Sequence, residues 1–441
     1  MRVTRWGVLV LTGALWLAPL VGAEERSGTV EEILAVLADK GLIDEAQHES
    51  LLAKHYREQA HEAAAPDVAE GLLEGWNWSG DARIRYEFFH FNGNPIQPEA
   101  DNRYRFRYRV RLGFWKQLND TFKFGMRLAS GEGGGNSTNT SFGRPGTDFD
   151  PDPIFIDQAW IQAKLPDCGC GLETTLTAGK VGNPYLWKHG MGDAVAFDSD
   201  FTPEGAYLRT AWEPSEGSEL SAIVGGFILE EDSSEADPKL IATQLRGETS
   251  LGGGISTGAK ATWYEWRSLG ANNDAFIMRS LGFGNLSSAF DGRARVLDFQ
   301  GFATLADEVW PTTLYGVYAR NTGADSALLN GFAIDDEDTA WGAGIEVGDS
   351  KQWLELGFGW FHVEANSVVA SFTDSDLFDG FTNREGWTIY GSKQIAKNTT
   401  FQFSYFDDDE IRSTGNGAGP FATSARSANR TRGRLDLVVK Y

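Results

Sequence analysis

Five arginines occupy every second position of one short stretch of the sequence. A guanidinium stays charged at any physiological pH, so a row of them attracts anions. A period of two residues puts all five side chains on one face of a β-strand and the intervening apolar side chains on the other. The stretch therefore predicts a strand with one cationic face and one apolar face. The five are Arg103, Arg105, Arg107, Arg109 and Arg111.

Four more basic residues lie on the strands predicted before and after this stretch. Arg83 and Arg85 belong to a strand over residues 78–89, and Lys123 and Arg127 belong to one over residues 121–129. Together they widen the arginine row into a basic patch. Two interpretations stay open: the patch lines a pore, or its members form ion pairs that brace the wall of the fold.

The same alternation of polar and apolar residues returns along most of the chain, which sets the fold class. One small core cannot cover so many large aromatic faces, whereas a lipid-facing barrel can. After residue 76, tight turns alternate strictly with long loops, which is typical of an outer-membrane barrel. We predict an all-β fold, a transmembrane antiparallel β-barrel of about sixteen strands, and therefore a lumen that the basic patch can face.

The segment before the barrel divides into three parts. Residues 1–23 combine Arg2 and Arg5 with an apolar run and a small-residue end, the layout of a secretory signal peptide. Residues 24–62 have helical apolar spacing, which predicts a periplasmic helical hairpin or coiled-coil segment. Residues 63–75 predict a linker, and residues 76–441 the outer-membrane barrel.

Charge and composition exclude several classes of protein. The formal net charge is −23, which argues against a nucleic-acid partner despite the arginine row. Two cysteines are too few for a disulfide framework. The acids gather in segments that each follow a strand-like run, and we expect these segments to be solvated loops. They are Glu230 to Asp237, Asp335 to Asp338, Asp374 to Asp379 and Asp407 to Glu410.

The sequence contains no recognisable catalytic motif. The sequence has no nucleophile elbow, zinc-binding helix or phosphate loop, so we predict no enzyme activity, no cofactor and no metal site. A barrel lipase would need a histidine beside a serine and an acid. The barrel candidates are His90, His189 and His362, and none lies in a catalytic string.

Three stretches resemble the putative outer-membrane porin family of Gram-negative bacteria. They are EEILAVLADKGLIDEAQHESLL in the helical opening, AGKVGNP at residues 178–184, and the last strand, which ends on the aromatic Tyr441. The resemblance implies a barrel in the cell outer membrane, in contact with the lipid bilayer and lipopolysaccharide. It also implies that the barrel-assembly machinery reads Tyr441, that small hydrophilic solutes diffuse through the barrel, and that a homotrimer is one possible assembly.

The resemblance also suggests where such a channel narrows. In similar porins the third long loop folds into the lumen, and its carboxylates face basic residues on the opposite wall. Residues 182–204 occupy that place here, and the matching carboxylates are Asp193, Asp198, Asp200 and Glu204. The alternative is an ordinary surface loop with solvated acids. We predict a diffusion channel with a weak anion preference, and the rival is a structural or adhesive barrel with a filled lumen.

Overall fold

The computed structural model describes residues 27–56, 74–92, 102–133, 137–143, 150–167, 169–231, 233, 236–269, 285, 293–306, 310–324, 327–329, 332–334, 337–411 and 429–441. The chain divides into two units, Met1–Glu74 and Gly75–Tyr441. The predicted signal peptide and most of the predicted linker lie outside the described residues.

The N-terminal unit contains two helices where the apolar spacing predicts them. The first covers Ser27–Asp39, and Gly41 follows it with a φ of 66°, the left-handed conformation that commonly ends a helix. The second covers residues 45–56. It begins with two reciprocal hydrogen bonds: the N–H of Gln47 donates to Asp44 Oδ1 at 2.7 Å, and the N–H of Asp44 donates to Gln47 Oε1 at 3.1 Å. Among the helices in the described residues, none is long and apolar enough to cross a membrane.

Sixteen antiparallel strands form a closed barrel, which confirms the predicted fold class. Along the chain the strands are β1 (Trp76–Asn92), β2 (Asn102–Gln117), β3 (Phe122–Ser130), β4 (Thr140–Ser141), β5 (Ile154–Lys164), β6 (Leu172–Lys180), β7 (Glu204–Ser215), β8 (Ser218–Ile228), β9 (Lys239–Gly252), β10 (Ile255–Arg267), β11 (Arg293–Leu305), β12 (Thr312–Asn321), β13 (Ala327–Leu329), β14 (Phe332–Ile334), β15 (Thr339–Gly348), β16 (Glu355–Val363), β17 (Arg384–Ala396), β18 (Thr399–Glu410) and β19 (Asn429–Lys440). The short β4 pairs with β2, and β13 and β14 form a separate hairpin.

The barrel closes between its first and last strands. β1 pairs with β19 on one edge and with β2 on the other. Tyr441 completes the closure, because its N–H donates to Gly80 O at 3.2 Å and its hydroxyl donates to Arg111 O at 2.7 Å. A Cβ at position 80 would lie 2.4 Å from the Tyr441 ring, so glycine is required there. Short and long connections alternate between the barrel strands, as predicted.

The two faces of each strand meet different surroundings. On β1 and β2 the apolar side chains Ile84, Phe106 and Val110 are about half exposed, whereas Arg83 and Arg85 on the alternate positions are nearly buried. An apolar outer face and a polar inner face are the arrangement of a transmembrane barrel. The arginine row therefore faces the lumen.

Two of the long connections lie inside the barrel. We call residues 181–203 the third loop and residues 364–383 the seventh loop. Leu377 and Phe378 of the seventh loop are buried in an apolar cluster within the lumen. The interpretation of Asp374 to Asp379 as a solvated loop is therefore wrong, because these apolar neighbours draw the segment inward. The Asp407 to Glu410 segment was also expected to be a solvated loop. Asp408 of this segment is instead buried on the inner face of β18.

Candidate functional site

Nine arginines form a cationic surface on the inner wall across three neighbouring strands. β19, β1 and β2 lie side by side because the barrel closes between β19 and β1. In this register Arg85 lies opposite Arg107, and Arg83 lies opposite Arg109. We call this surface the arginine wall. Its members are Arg83, Arg85, Arg105, Arg107, Arg109, Arg111, Arg430, Arg432 and Arg434.

Sequence reasoning missed the three members that come from the last strand. Arg430, Arg432 and Arg434 repeat with the same period of two as the predicted row, so the signal was present. Its meaning depends on closure, because only a closed barrel brings the last strand against the first. Combining the period with the predicted closure would have placed them beside Arg85.

The wall carries carboxylates of its own, and two of them, Asp81 and Glu87, are each shared among several guanidiniums. Asp81 lies 2.9 Å from both Arg109 and Arg111. Glu87, which is fully buried, pairs with Arg105 and lies 2.6 Å from Arg432. Because one carboxylate serves two or more arginines, these pairs brace the wall without neutralising it.

The third loop sends one predicted carboxylate, Asp200, to the arginine wall. Its Oδ1 lies 3.1 Å from Arg111 Nη1 and 3.6 Å from Arg109 Nη1. Its Oδ2 accepts from the Thr138 N–H at 3.1 Å and from the Thr138 hydroxyl at 2.9 Å. Burial favours the neutral form of Asp200, but the charges of Arg109 and Arg111 outweigh it and hold its pKa below the usual range.

The other three predicted loop acids lie elsewhere. Asp193 accepts from Lys260 Nζ at 2.6 Å, on the opposite wall. Asp198 lies where the third and seventh loops meet. Glu204 begins β7 and lies 2.8 Å from Lys180, at the end of β6. Of the four, Asp200 alone contacts the arginine wall among the described residues.

The seventh loop supplies the carboxylates that the sequence had assigned to solvent. Asp376 lies 2.8 Å from Arg85 and also pairs with Arg434. Asp379 lies 3.6 Å from both Arg430 and Arg432. This loop therefore provides most of the acidic surface that the third loop was expected to provide.

The two loops are joined by their backbones. The Asp198 N–H donates to Phe372 O at 2.7 Å, and the Asp374 N–H donates to Ala194 O at 3.1 Å. The Ser375 N–H donates to Asp198 Oδ2 at 2.9 Å. Burial, together with the nearby charge of Asp200, raises the pKa of Asp198 to about 7. The loops thus form one body across the lumen, with a titratable carboxyl at the junction.

A third inward segment, residues 137–143, covers the middle of the arginine wall. Arg83 Nη2 donates to Asn139 Oδ1 at 2.5 Å, and Arg107 Nη2 donates to Ser137 Oγ at 3.2 Å. Both partners are neutral. These two arginines are therefore held by dipoles, whereas their neighbours are held by carboxylates.

The remaining predicted basic residues lie at the edges of the wall. The guanidinium of Arg103 lies 5.9 Å from the centre of the Phe89 ring. Lys123 Nζ lies 3.9 Å from the centre of the Trp115 ring, and Arg127 pairs with Asp157. These contacts place the three outside the group that faces the two loops.

Apolar contacts hold the same loops against the opposite wall. The Phe372 ring stacks on Trp266 of β10 at 4.5 Å, and Trp187 of the third loop meets Phe302 of β11 edge to face at 5.1 Å. The Tyr185 hydroxyl donates to Ala242 O at 3.0 Å. Buried aromatic packing of this kind fixes the loops in position.

A buried ionic anchor, which sequence reasoning also missed, adds to this packing. Lys260 of β10 is 3% exposed, and its Nζ donates to Asp193 Oδ1 at 2.6 Å and to Tyr185 O at 3.0 Å. Asp298 of β11 lies 3.7 Å from the same nitrogen. A single lysine in an apolar strand gives no sequence signal of its partner.

The lumen is therefore narrowed between a cationic wall and a body of two loops with acidic tips. Opposed charges produce a field across the constriction, which favours polar and charged solutes over apolar ones. A family described as "Putative porin" matches residues 77–280 and 286–422 of the sequence. The chain belongs to this porin family. It is therefore an outer-membrane protein, and its fold and family indicate a channel rather than an enzyme.

Several solved porins are similar to this chain in structure at low sequence identity. OprB of Pseudomonas putida is 10% identical, with 85% of this chain and 96% of that chain covered and a TM-score of 0.53. The OmpT trimer form of Vibrio cholerae is 12% identical, with coverages of 83% and 99% and a TM-score of 0.44. A Rhodopseudomonas blastica porin variant is 11% identical, with coverages of 83% and 100% and a TM-score of 0.44. No curated protein matches this sequence.

Proposed function

We propose that this porin is a water-filled channel for passive diffusion of small hydrophilic solutes and ions, with a weak preference for anions. The observation that carries the proposal is the constriction, where the arginine wall faces the acidic tips of two loops. Lumen arginines raise the local anion concentration within a Debye length of the wall, about 10 Å at 0.1 M salt. A barrel that served only as a scaffold would have no need of so many buried charges.

The sharing of carboxylates supports the anion preference. Asp376 pairs with Arg85 and Arg434 and also lies 3.6 Å from Arg432. Among the described residues, seven carboxylates pair with the wall, which has nine arginines, and this leaves two positive charges in excess. The formal charge of −23 does not decide selectivity, because much of it lies in loop acids that salt screens.

A structural or adhesive barrel with a filled lumen is the second candidate. The loops touch both walls, with ion pairs on one side and aromatic packing on the other. Conductance across a planar bilayer separates the two candidates, because a filled barrel would pass no ions. A steady single-channel current from the wild-type protein would exclude the filled lumen.

The reversal potential in a salt gradient tests the selectivity. In the variant with Arg105, Arg107 and Arg109 changed together to Gln, we expect the anion preference to fall. The matched control is Arg246→Gln, which removes an arginine of β9 that pairs with Glu219 on β8 and lies outside the arginine wall. If the triple variant keeps the reversal potential and conductance of the wild type, the arginines only brace the wall and the selectivity proposal fails.

We also propose that the two N-terminal helices lie in the periplasm and are dispensable for barrel closure. The first exposes Ile33 and Val36 in addition to its polar residues, and the strands of the barrel come from residues 76–440. Residues 24–70 can be deleted behind the signal peptide. Loss of heat-modifiable migration on a gel would contradict the idea.

A homotrimer is our proposal for the assembly. Residues 154–158 of β5 pair with β3, but the described part of β6 pairs only with residues 159–164. This edge carries Ile154 and Ile156, which are 73% and 56% exposed. An open strand edge is unfavourable in a membrane unless protein covers it. Cross-linking in membranes should give three copies, and a monomer in native membranes would refute the proposal.

A further inference from the structure

Two members of the arginine wall lack the ionic partners of their neighbours. Among the described residues, Arg83 makes no ion pair, and the nearest carboxylate oxygen to Arg107 is on Glu87 at 3.9 Å. Both side chains are about nine-tenths buried, at 8% exposure each. Removing a cation from water without a counter-charge is costly. The two buried guanidiniums therefore raise the free energy of the folded barrel, and a bound negative group would lower it.

The two guanidiniums converge on one small polar site. Arg83 binds Asn139, Arg107 binds Ser137, and Asn139 Nδ2 donates to Ser137 Oγ at 3.1 Å. The Nε atoms of Arg83 and Arg107 are buried and have no hydrogen-bond partner. A buried donor without an acceptor is an incomplete site, because nearly all such groups are paired in folded proteins.

The site borders the constriction. Thr138, between the two polar residues, donates to Asp200 at the tip of the third loop. Residues 137 and 138 also line a cavity of about 850 Å³ beside the loop tips. Ser137 and Thr138 therefore connect the site to this cavity and to the tip of the third loop.

We propose that Arg83 and Arg107, with Ser137 and Asn139, form a binding site for a small oxyanion group, a carboxylate or a phosphate. This inference rests on the proposed channel function and names the solute class that the constriction recognises. A planar guanidinium presents paired N–H donors that match the two oxygens of such a group. The other wall arginines are less suited to it, because each of them already lies in an ion pair with a carboxylate of the protein.

The experiment measures block of the chloride current by acetate and, separately, by inorganic phosphate, at constant ionic strength in a planar bilayer. The wild type is compared with Arg83→Gln, Arg107→Gln and the control Arg246→Gln. Loss of one charged hydrogen-bond donor should raise the half-blocking concentration about tenfold. The control should match the wild type, because Arg246 lies away from the site and pairs with Glu219.

Each outcome decides the proposal. Block by acetate alone identifies a carboxylate solute, block by phosphate alone identifies a phosphate solute, and block by neither in a conducting wild type overturns the site but leaves the channel. An equal effect of Arg246→Gln also overturns it, since lumen charge alone would then explain the block. If Arg83→Gln fails to fold, Arg83→Lys keeps the charge without the planar fork and should still weaken block.

A second measurement covers the case of a wild type that passes no current. A ligand that binds only the folded barrel raises the temperature at which the barrel unfolds. The midpoint of heat-modifiable gel migration is therefore read with acetate, phosphate or chloride. A rise in the wild type that Arg83→Gln abolishes would support the site even though the channel function had failed, and no rise would overturn both.

Discussion

The two sides of the lumen hold the same loops by different forces. On the side of β10 and β11, aromatic rings such as Phe372 and Trp266 stack in direct contact. On the side of β19, β1 and β2, the loops meet the wall through ion pairs such as Asp200 with Arg111. Apolar contact does not depend on salt, whereas ionic contact near an aqueous lumen weakens as salt rises.

The difference indicates which side a solute uses. On the aromatic side the main charged group, Lys260, is buried and bound to Asp193 of the third loop, so this side serves to hold the loops. The ionic side offers groups that can exchange one partner for another, so a charged solute can replace a protein carboxylate for a short time. We infer that the apolar side fixes the constriction and the ionic side conducts.

The largest effect is expected from Phe372→Ala, which breaks the apolar side. Phe372 is 4% exposed, stacks on Trp266 and meets Phe201 at 5.0 Å, so truncation leaves a cavity beneath the loop junction. Such changes cost about 3–5 kcal/mol. We expect a released loop body and a larger, noisier single-channel conductance from a barrel that still folds.

Phe358→Ala is the control, because Phe358 lies on the outer face at 43% exposure and does not contact the loops. A conductance for Phe372→Ala equal to that of the wild type would show that the aromatic contacts do not hold the constriction.

Lys260→Met tests the ionic anchor on the same side and should have a smaller effect. Methionine keeps most of the volume but removes the charged donor from Asp193 and Tyr185 O. Asp193 retains the N–H groups of Trp187 and Lys188 as donors at 2.6 Å and 2.7 Å. We therefore expect a loss of about 1.5–3 kcal/mol in loop docking, seen as more frequent conductance fluctuations. Unchanged fluctuations would mean that aromatic packing alone is sufficient.

The sequence predicted the frame of the fold better than its interior. Alternation with a period of two and the order of short and long connections are local signals, and they are strong enough to predict sixteen strands. Which loops enter the lumen is not a local property. The seventh loop contains Asp374, Asp376 and Asp379, so it looked solvated, although Phe372, Leu377 and Phe378 among these acids are what draw it inward.

In the candidate site, too, the sequence predicted what local spacing shows and missed the contacts between distant residues. The row from Arg103 to Arg111 was visible because its members are close in sequence. The pairing of Arg85 with Asp376 spans 291 residues, and that of Lys260 with Asp193 spans 67. No period or motif links such partners, so the register of the closed barrel and the path of the loops are needed to find them.

Asp376→Asn changes the ionic side by removing one carboxylate from three guanidiniums. The arginines hold its pKa well below the usual range although burial opposes them, so it is ionised at neutral pH. Its side chain is 31% exposed, which limits the effect to about 1 kcal/mol, or about fivefold in the ratio of anion to cation permeability. The reversal potential should shift toward anions at 0.1 M salt and less at 1 M. A shift toward cations would contradict the assignment of this residue to the constriction.

The smallest effect is expected from pH, at the junction of the two loops. The pKa of Asp198 is raised to about 7 by burial and by the charge of Asp200, and burial and Asp198 raise that of Asp374. A raised pKa means that the docked loop binds a proton which an exposed carboxyl would release. The neutral Asp198 carboxyl therefore stabilises the docked loops fully below about pH 4. This stabilisation is lost as the pH rises through about 7.

The loop junction should accordingly be looser at pH 8 than at pH 5. The cost of ionisation is reduced because the N–H groups of Asp200 and Ser375 donate to the Asp198 carboxylate at 2.8 Å and 2.9 Å. We expect a change of about twofold in the frequency of conductance fluctuations, equivalent to about 0.4 kcal/mol. Asp198→Asn should remove this dependence, because the amide keeps an acceptor and cannot ionise, whereas Glu173→Gln at an exposed position of β6 should retain it. Fluctuations that fall as the pH rises would show that the charged form of Asp198 holds the loops together, and the ionic side would then extend into their junction.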